Sequence, residues 1–216
     1  MFNFNFYNPT RIYFGKDRLE SINENVPVDA KVLITYGGGS AKRSGLIDKV
    51  KSILGSREIF EFSGIEPNPK YETLMKAVEV VKAENIDYIL AVGGGSTIDG
   101  TKFISLASNY EGDATELLMK GFSGVTSEMV KKVIPFGSVL TLPATGSEMN
   151  SWAVVSYNHA KYPVMSELSF PKFSILDPTL TFTLLIIQFS IGVTNAIGQV
   201  MEQYITYPVD ARIQDR

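Results

Sequence analysis

Residues 88–99 read YILAVGGGSTID, and the way an apolar run drives straight into three glycines and a serine decides the fold. Five apolar residues, Tyr88 through Val92, are too few for a helix. Their continuous character suits a strand covered on both faces. Gly93, Gly94, Gly95 and Ser96 then make the corner, and Ile98, Phe103, Ile104 and Leu106 open a helical pattern behind it. Glycines at such a corner carry no side chains, so backbone N–H groups can approach an anion while the helix dipole favours it.

The same pattern appears upstream. Lys31–Tyr36 (KVLITY) ends in Gly37, Gly38, Gly39 and Ser40, and Leu46, Ile47, Val50, Ile53 and Leu54 follow at helical spacing up to Gly55. A strand at Glu58–Phe62 leads to the loop SGIEPNPK, with Asn68 read as cap and Pro69 as first turn of a helix whose apolar face is Leu74, Ala77, Val78 and Val81. Downstream, residues 132–142 read as a strand ending in TLPATGSE. Residues 152–156 and 162–165 pair as a hairpin around His159, and Phe173–Leu176 is a last short strand closed by Asp177 and Pro178. Strands alternating with helices predict an α/β fold: a Rossmann-like, doubly wound, mainly parallel sheet with a β-hairpin and a C-terminal helix. The organisation expected is a dinucleotide-binding α/β domain over residues 1–180 and a helical tail over 181–216.

Composition narrows the function. The 216 residues carry 20 Lys+Arg against 23 Asp+Glu, a net charge of −3 without a basic run, which argues against nucleic acid. There is no cysteine and one histidine, so a thiolate nucleophile or a site of several imidazoles cannot come from this sequence. The N-terminus lacks a signal-like apolar core, and a cytoplasmic location is expected. Residues 178–201 contain no charge, about the length of a membrane span, but four threonines, two glutamines, a serine and an asparagine interrupt them. A buried helix over residues 186–204 is the expectation, with no membrane partner.

Two glycine corners in one alternating sheet point to a phosphate-bearing ligand at the carboxyl ends of the strands. Neither corner is G-x-G-x-x-G, and no Gly-Lys-Ser/Thr follows, so the residues by themselves stop at a nucleotide.

The segments YNPTRIYFGKD, LITYGGGSAKRSG, GIEPNP, AVGGGSTIDGTKF, LTLPATGSEMN, LDPTLTFTL and VMEQYITYPVDARIQDR, in this order, resemble the iron-containing alcohol dehydrogenases. The likeness is greatest to the NADPH-dependent branch that reduces aldehydes. Glycerol dehydrogenases share the architecture less closely. The resemblance implies a dehydroquinate synthase-like N-terminal domain that binds NADP(H) or NAD(H). It places the pyrophosphate on Gly93, Gly94, Gly95 and Ser96 with Asp99 as the signature aspartate, and the adenosine ribose by Gly38, Gly39 and Ser40. Thr141 and Thr145 fall near the nicotinamide, and Lys161 near its ribose. Lys42 and Arg43 follow the first corner and favour NADP, or else are solvated surface charges.

Departures from the family pattern matter as much. Members hold a divalent metal with an aspartate, a histidine four residues on, and two histidines from a following helical domain. Here IGVTNAIGQVMEQY puts Asn195 and Gln199 at the first two positions. A neutral amide lacks the carboxylate charge and glutamine lacks an imidazole, so no metal and no catalytic residue is expected. Trp152, expected to pack inside, stands where relatives carry a small residue. Ser138 stands for a cysteine, and the Leu184–Ile187 stretch replaces a Leu-Pro and polar residues. The sequence therefore reads as a deliberately truncated and resurfaced domain whose tail helix folds back over surface left bare, inactive by itself. A ligand-free scaffold and half of a complementable dehydrogenase are the alternatives. The aromatic start, with Phe2, Phe4, Phe6, Tyr7, Tyr13 and Phe14, is expected to favour a homodimer through the N-terminal strand.

Overall fold

The computed structural model describes residues 5–206, apart from the side chains of Phe122, Gln203 and Thr206. Six parallel strands form one sheet: β1 (Arg11–Phe14), β2 (Lys31–Tyr36), β3 (Glu58–Phe62), β4 (Tyr88–Gly94), β5 (Phe136–Leu142) and β8 (Phe173–Leu176). Their spatial order is β1-β8-β5-β4-β2-β3, and β6 (Trp152–Tyr157) and β7 (Ala160–Met165) make a separate antiparallel hairpin. The helices are α1 (Ser21–Asn25), α2 (Ser40–Arg43), α3 (Leu46–Leu54), α4 (Tyr71–Glu84), α5 (Gly95–Ala107), α6 (Thr115–Met119) and α7 (Ile186–Thr206).

Each central strand feeds two cores, as a doubly covered strand must. On β4, Tyr88, Leu90 and Val92 join Leu46, Ile47, Val50 and Leu54 of α3 on one face. Ile89 and Ala91 join Leu74, Ala77, Val78 and Val81 of α4 and Phe103 and Ile104 of α5 on the other. The chain therefore leaves β2 on one face of the sheet and β4 on the opposite face. Because β2 and β4 are neighbours, a crevice opens between their carboxyl ends.

Several expectations change at the element ends. The fifth sheet strand begins at Phe136, because residues 131–135 lie outside the strand and the Pro135 carbonyl accepts the Ile89 N–H. Asn68 does not cap α4: it takes φ 58°, and Lys70 precedes the first turn without a side-chain cap. The hairpin turn falls on Asn158 and His159, both at positive φ, with His159 exposed as its place in the sequence suggests. Trp152 is 41% exposed at the start of β6 rather than packed inside.

The tail departs most. α7 is helical over the expected residues but is not buried: of its described residues only Gly192 is. Ile186, Ile187, Phe189, Ile191, Ile197, Met201 and Tyr204 all stand exposed. Gly192 lies against the Pro143 carbonyl, where a Cβ would come within 2.8 Å, and this contact holds the helix to the loop after β5. The helix turns to the body of the protein the side carrying Gly192 and Asn195, and its apolar residues face away from there. It therefore covers no bared surface of the sheet, and the reading of the departures as resurfacing fails. Among the described residues no helix is long and apolar enough to cross a membrane. Phe2 and Phe4 of the aromatic start lie outside the described residues. β1 is one of the two edge strands of the sheet and among the described residues pairs only with β8, and Tyr13 packs edge-on to Phe173 at 6.4 Å.

Candidate functional site

The crevice between β2 and β4 is a cleft of about 320 Å³ walled by both glycine corners. Gly37, Gly38 and Ser40 come from the first corner, and Gly93, Gly94, Gly95 and Ser96 from the second. Thr141 and Leu142 close it from β5, and Thr183, Leu184 and Gln188 from the approach to α7 and its first turn. Eight further residues line it that the sequence had not singled out for a site, among them Ile65 and Pro67 of the loop after β3 and Thr97 of α5.

The second corner needs glycine for packing. The β4–β5 register slips between Gly93 and Gly94, a bulge that turns the strand into α5. A Cβ on Gly93 would lie 2.7 Å from the Cβ of Thr97, and one on Gly95 would collide with the Thr145 hydroxyl. At the first corner Gly39 takes φ 95°, a left-handed conformation that glycine adopts freely. Ser96 Oγ accepts the Asn68 N–H at 3.3 Å, which leaves its own proton to donate.

The other expected site residues take different places. Thr145 sits on the rim against Gly95, its Oγ1 2.7 Å from Ser147 Oγ. Asp99 does not line the cleft; its Oδ2 accepts the Val154 N–H at 3.0 Å and so pins the hairpin to α5. Lys161 is exposed on β7 and outside the cleft wall.

Behind the rim lies a residue that was missed. Lys102, with no exposed surface, donates to Asn150 Oδ1 at 2.9 Å and to the Trp152 carbonyl at 2.6 Å. Burial pulls its pKa down to about 8, against the opposing pull of Asp99 and Glu148. Burial likewise raises Asp99, which Lys102 partly offsets. This buried pair fastens the loop carrying Thr145 to the helix carrying Gly95. The only signal in the sequence was a lysine one turn beyond Asp99 on an otherwise apolar helix.

The first corner has its own charged cluster. Glu61 of β3 receives the Tyr36 hydroxyl at 2.6 Å, the Lys42 ammonium at 3.3 Å and Lys51. These donors, Lys51 foremost, hold its carboxyl down to about 2. Ser138, fully buried, donates to Ser174 Oγ at 2.7 Å, and Ser174 donates to the Glu148 carbonyl, tying β5 and β8 to the Thr145 loop.

Comparison with known proteins now decides the family. The model for "Iron-containing alcohol dehydrogenase" matches residues 9–178. The chain belongs to that family. It is 49% identical to the NADPH-dependent aldehyde reductase YqhD of Escherichia coli (strain K12), over all of this chain and 56% of that protein. It is 44% identical to the probable NADH-dependent butanol dehydrogenase 1 of Bacillus subtilis (strain 168), again over all of this chain and 56% of the relative. Among solved structures, that of E. coli K-12 YqhD superposes with a TM-score of 0.91 at 49% identity, covering 99% of this chain and 55% of that one. NADH-dependent butanol dehydrogenase A from Thermotoga maritima gives a TM-score of 0.85 at 39% identity, over 94% and 51%. This family member thus spans about half the length of the curated relatives it matches. The aligned half is the parallel α/β portion described above.

The family's name implies iron, and the residues of α7 do not fit it. Asn195 turns its amide nitrogen to the Ala144 carbonyl at 3.1 Å, and Gln199, one turn on, is exposed. Neither offers a carboxylate or an imidazole. Among the described residues no group of three or more His, Asp or Glu could hold a metal.

Proposed function

We propose that this chain is the nicotinamide-dinucleotide-binding part of an iron-type alcohol dehydrogenase or aldehyde reductase, taking NADP(H) in preference to NAD(H). We propose also that it transfers no hydride by itself. The observation that carries the reading is the meeting of two glycine corners in one cleft at the switch point of the sheet. There the N–H groups at the start of α5 and the Ser96 hydroxyl meet the pyrophosphate, and Gly38, Gly39 and Ser40 meet the adenosine ribose. Thr141 lies deeper along the cleft and Thr145 on its rim, where they face the nicotinamide end. Asp99 and Lys102 act behind them by holding the rim in place. Lys161, exposed on the hairpin, reaches the nicotinamide ribose only if the hairpin moves toward the cleft.

A bound dinucleotide supplies the hydride; this chain's residues bind and orient it. Reduction of a carbonyl also needs a group that stabilises the growing negative charge on oxygen, and the amides of Asn195 and Gln199 carry no charge to do so. Calorimetric titration of the metal-free protein with NADPH and then NADH tests binding. An aldehyde reductase assay with added ferrous or zinc ion tests activity. Saturable binding with no turnover is the expected pair of results. Turnover on adding metal refutes the inactive reading, and binding of neither cofactor leaves the corners as structure only.

A further inference from the structure

Resting on the dinucleotide reading, we infer that Arg43 is the group that recognises the 2′-phosphate of NADP(H), and that its neighbour Lys42 is not. In nucleotide-binding α/β sheets an acidic residue about 20 positions past the first glycines takes the ribose hydroxyls of NAD, whereas a nearby arginine accommodates the extra phosphate of NADP. Both kinds of residue are present here, and the structure separates them. Glu61, at the carboxyl end of the strand beside β2, stands where such an acid would act. Both its oxygens are already taken: Oε1 by Lys51, and Oε2 by the Tyr36 hydroxyl and Lys42. It neither seeks a diol nor repels a phosphate, and Lys42 is spent in neutralising it.

Arg43 is disposed otherwise. Its Nη1 donates to the Gly38 carbonyl at 3.4 Å, which folds the guanidinium over the first glycine corner. Gly38 is part of the cleft wall and Arg43 is not, so the guanidinium stands over the corner, just outside the cleft beside Gly38. A Cβ on Gly39 would lie 3.3 Å from that nitrogen, so a side chain at position 39 would press the guanidinium off the corner. No carboxylate pairs with Arg43 among the described residues. One of its five N–H groups is used on Gly38, and the remaining planar donors suit a phosphate that two parallel hydrogen bonds can grip. Ser40 and Ser44 both line the cleft, and the Ser44 hydroxyl donates to the Ala41 carbonyl at 3.1 Å.

The test is calorimetric titration of the full chain with NADPH, NADH and adenosine 2′,5′-bisphosphate, in the wild type and three variants. Arg43→Ala is expected to weaken NADPH and the bisphosphate about tenfold or more, the loss of one charge-assisted phosphate contact, while NADH shifts less than about twofold. Arg43→Lys keeps part of the preference as a point charge, and Lys42→Ala leaves the NADPH-to-NADH ratio within about twofold. Arg43 is exposed, so the circular dichroism of its variants stays that of the wild type. An unchanged ratio in Arg43→Ala, or a collapsed one in Lys42→Ala, overturns the inference while the dinucleotide reading stands. Failure of the wild type to bind either cofactor removes that reading, and this inference with it.

Discussion

Raising the pH above 8 is expected to stabilise this protein, and Lys102 is the reason. A lysine in water loses its proton near 10.5, but burial brings Lys102 to about 8. The folded chain therefore releases this proton first, and between the two values the unfolded chain binds more protons. Stability must rise with pH across that window. Below pH 8 the charged ammonium is buried at its full cost. Above it, the neutral amine can still donate to Asn150 and Trp152 without that cost. From pH 8 to 9.5 the gain integrates to about 1.5 kcal/mol. The upper bound is set by Tyr36 and Tyr88, whose hydroxyls burial holds protonated longer in the folded chain, so stability turns down past pH 10. Urea unfolding at half-unit steps from pH 7.5 to 9.5 measures the curve through its midpoints. In Lys102→Met and Lys102→Arg, neither of which titrates here, the rise is expected to vanish. A flat or falling wild-type curve, or the same rise in both variants, refutes the assignment of this linkage to Lys102.

Three other perturbations probe the frame and the site. Glu61→Gln is expected to remove an acid-sensitive contribution. With its folded carboxyl held to about 2, the wild type loses about 1–2 kcal/mol as pH falls from 4.5, discounted because the group is 23% exposed. Acid urea titrations of the two proteins should then converge below pH 3. Gly137→Ala drives a Cβ into the buried Phe173 ring, whose Cδ1 lies 2.9 Å away. It should cost about 2–3 kcal/mol in urea unfolding, and a loss below 0.5 would show that β8 yields easily. Gly95→Ala puts a methyl against Thr145 Oγ1 and should weaken NADPH at least about tenfold. Adding Thr145→Ala removes the obstruction and should restore part of that affinity; no recovery would place the fault elsewhere in the corner.

What the sequence determined by itself was the alternation and the corners. Apolar runs such as residues 88–92, too short for helices and continuous rather than alternating, specify parallel strands covered on both sides. Glycines directly after them specify a corner open to an anion. These are local properties of the chain, so the strands, α5 and the hairpin stand close to where the sequence puts them, and the motif order named the family. Only tertiary structure decided which residues share the cleft. Asp99 follows the second corner by four residues in sequence, yet α5 turns its carboxylate toward the Val154 N–H and away from the opening. Lys42 and Arg43 are adjacent and alike in charge, but the strand pairing that brings Glu61 beside β2 neutralises one and leaves the other over the corner. Lys102 gave no sign in sequence that it would be buried, because its desolvation depends on the hairpin folding over α5 from fifty residues away. The apolar tail read as buried because hydrophobicity reports what a helix would gain from cover. Whether another layer stands there to supply it is a fact of the assembled fold, and over α7 the described residues supply it only along the turn at Gly192.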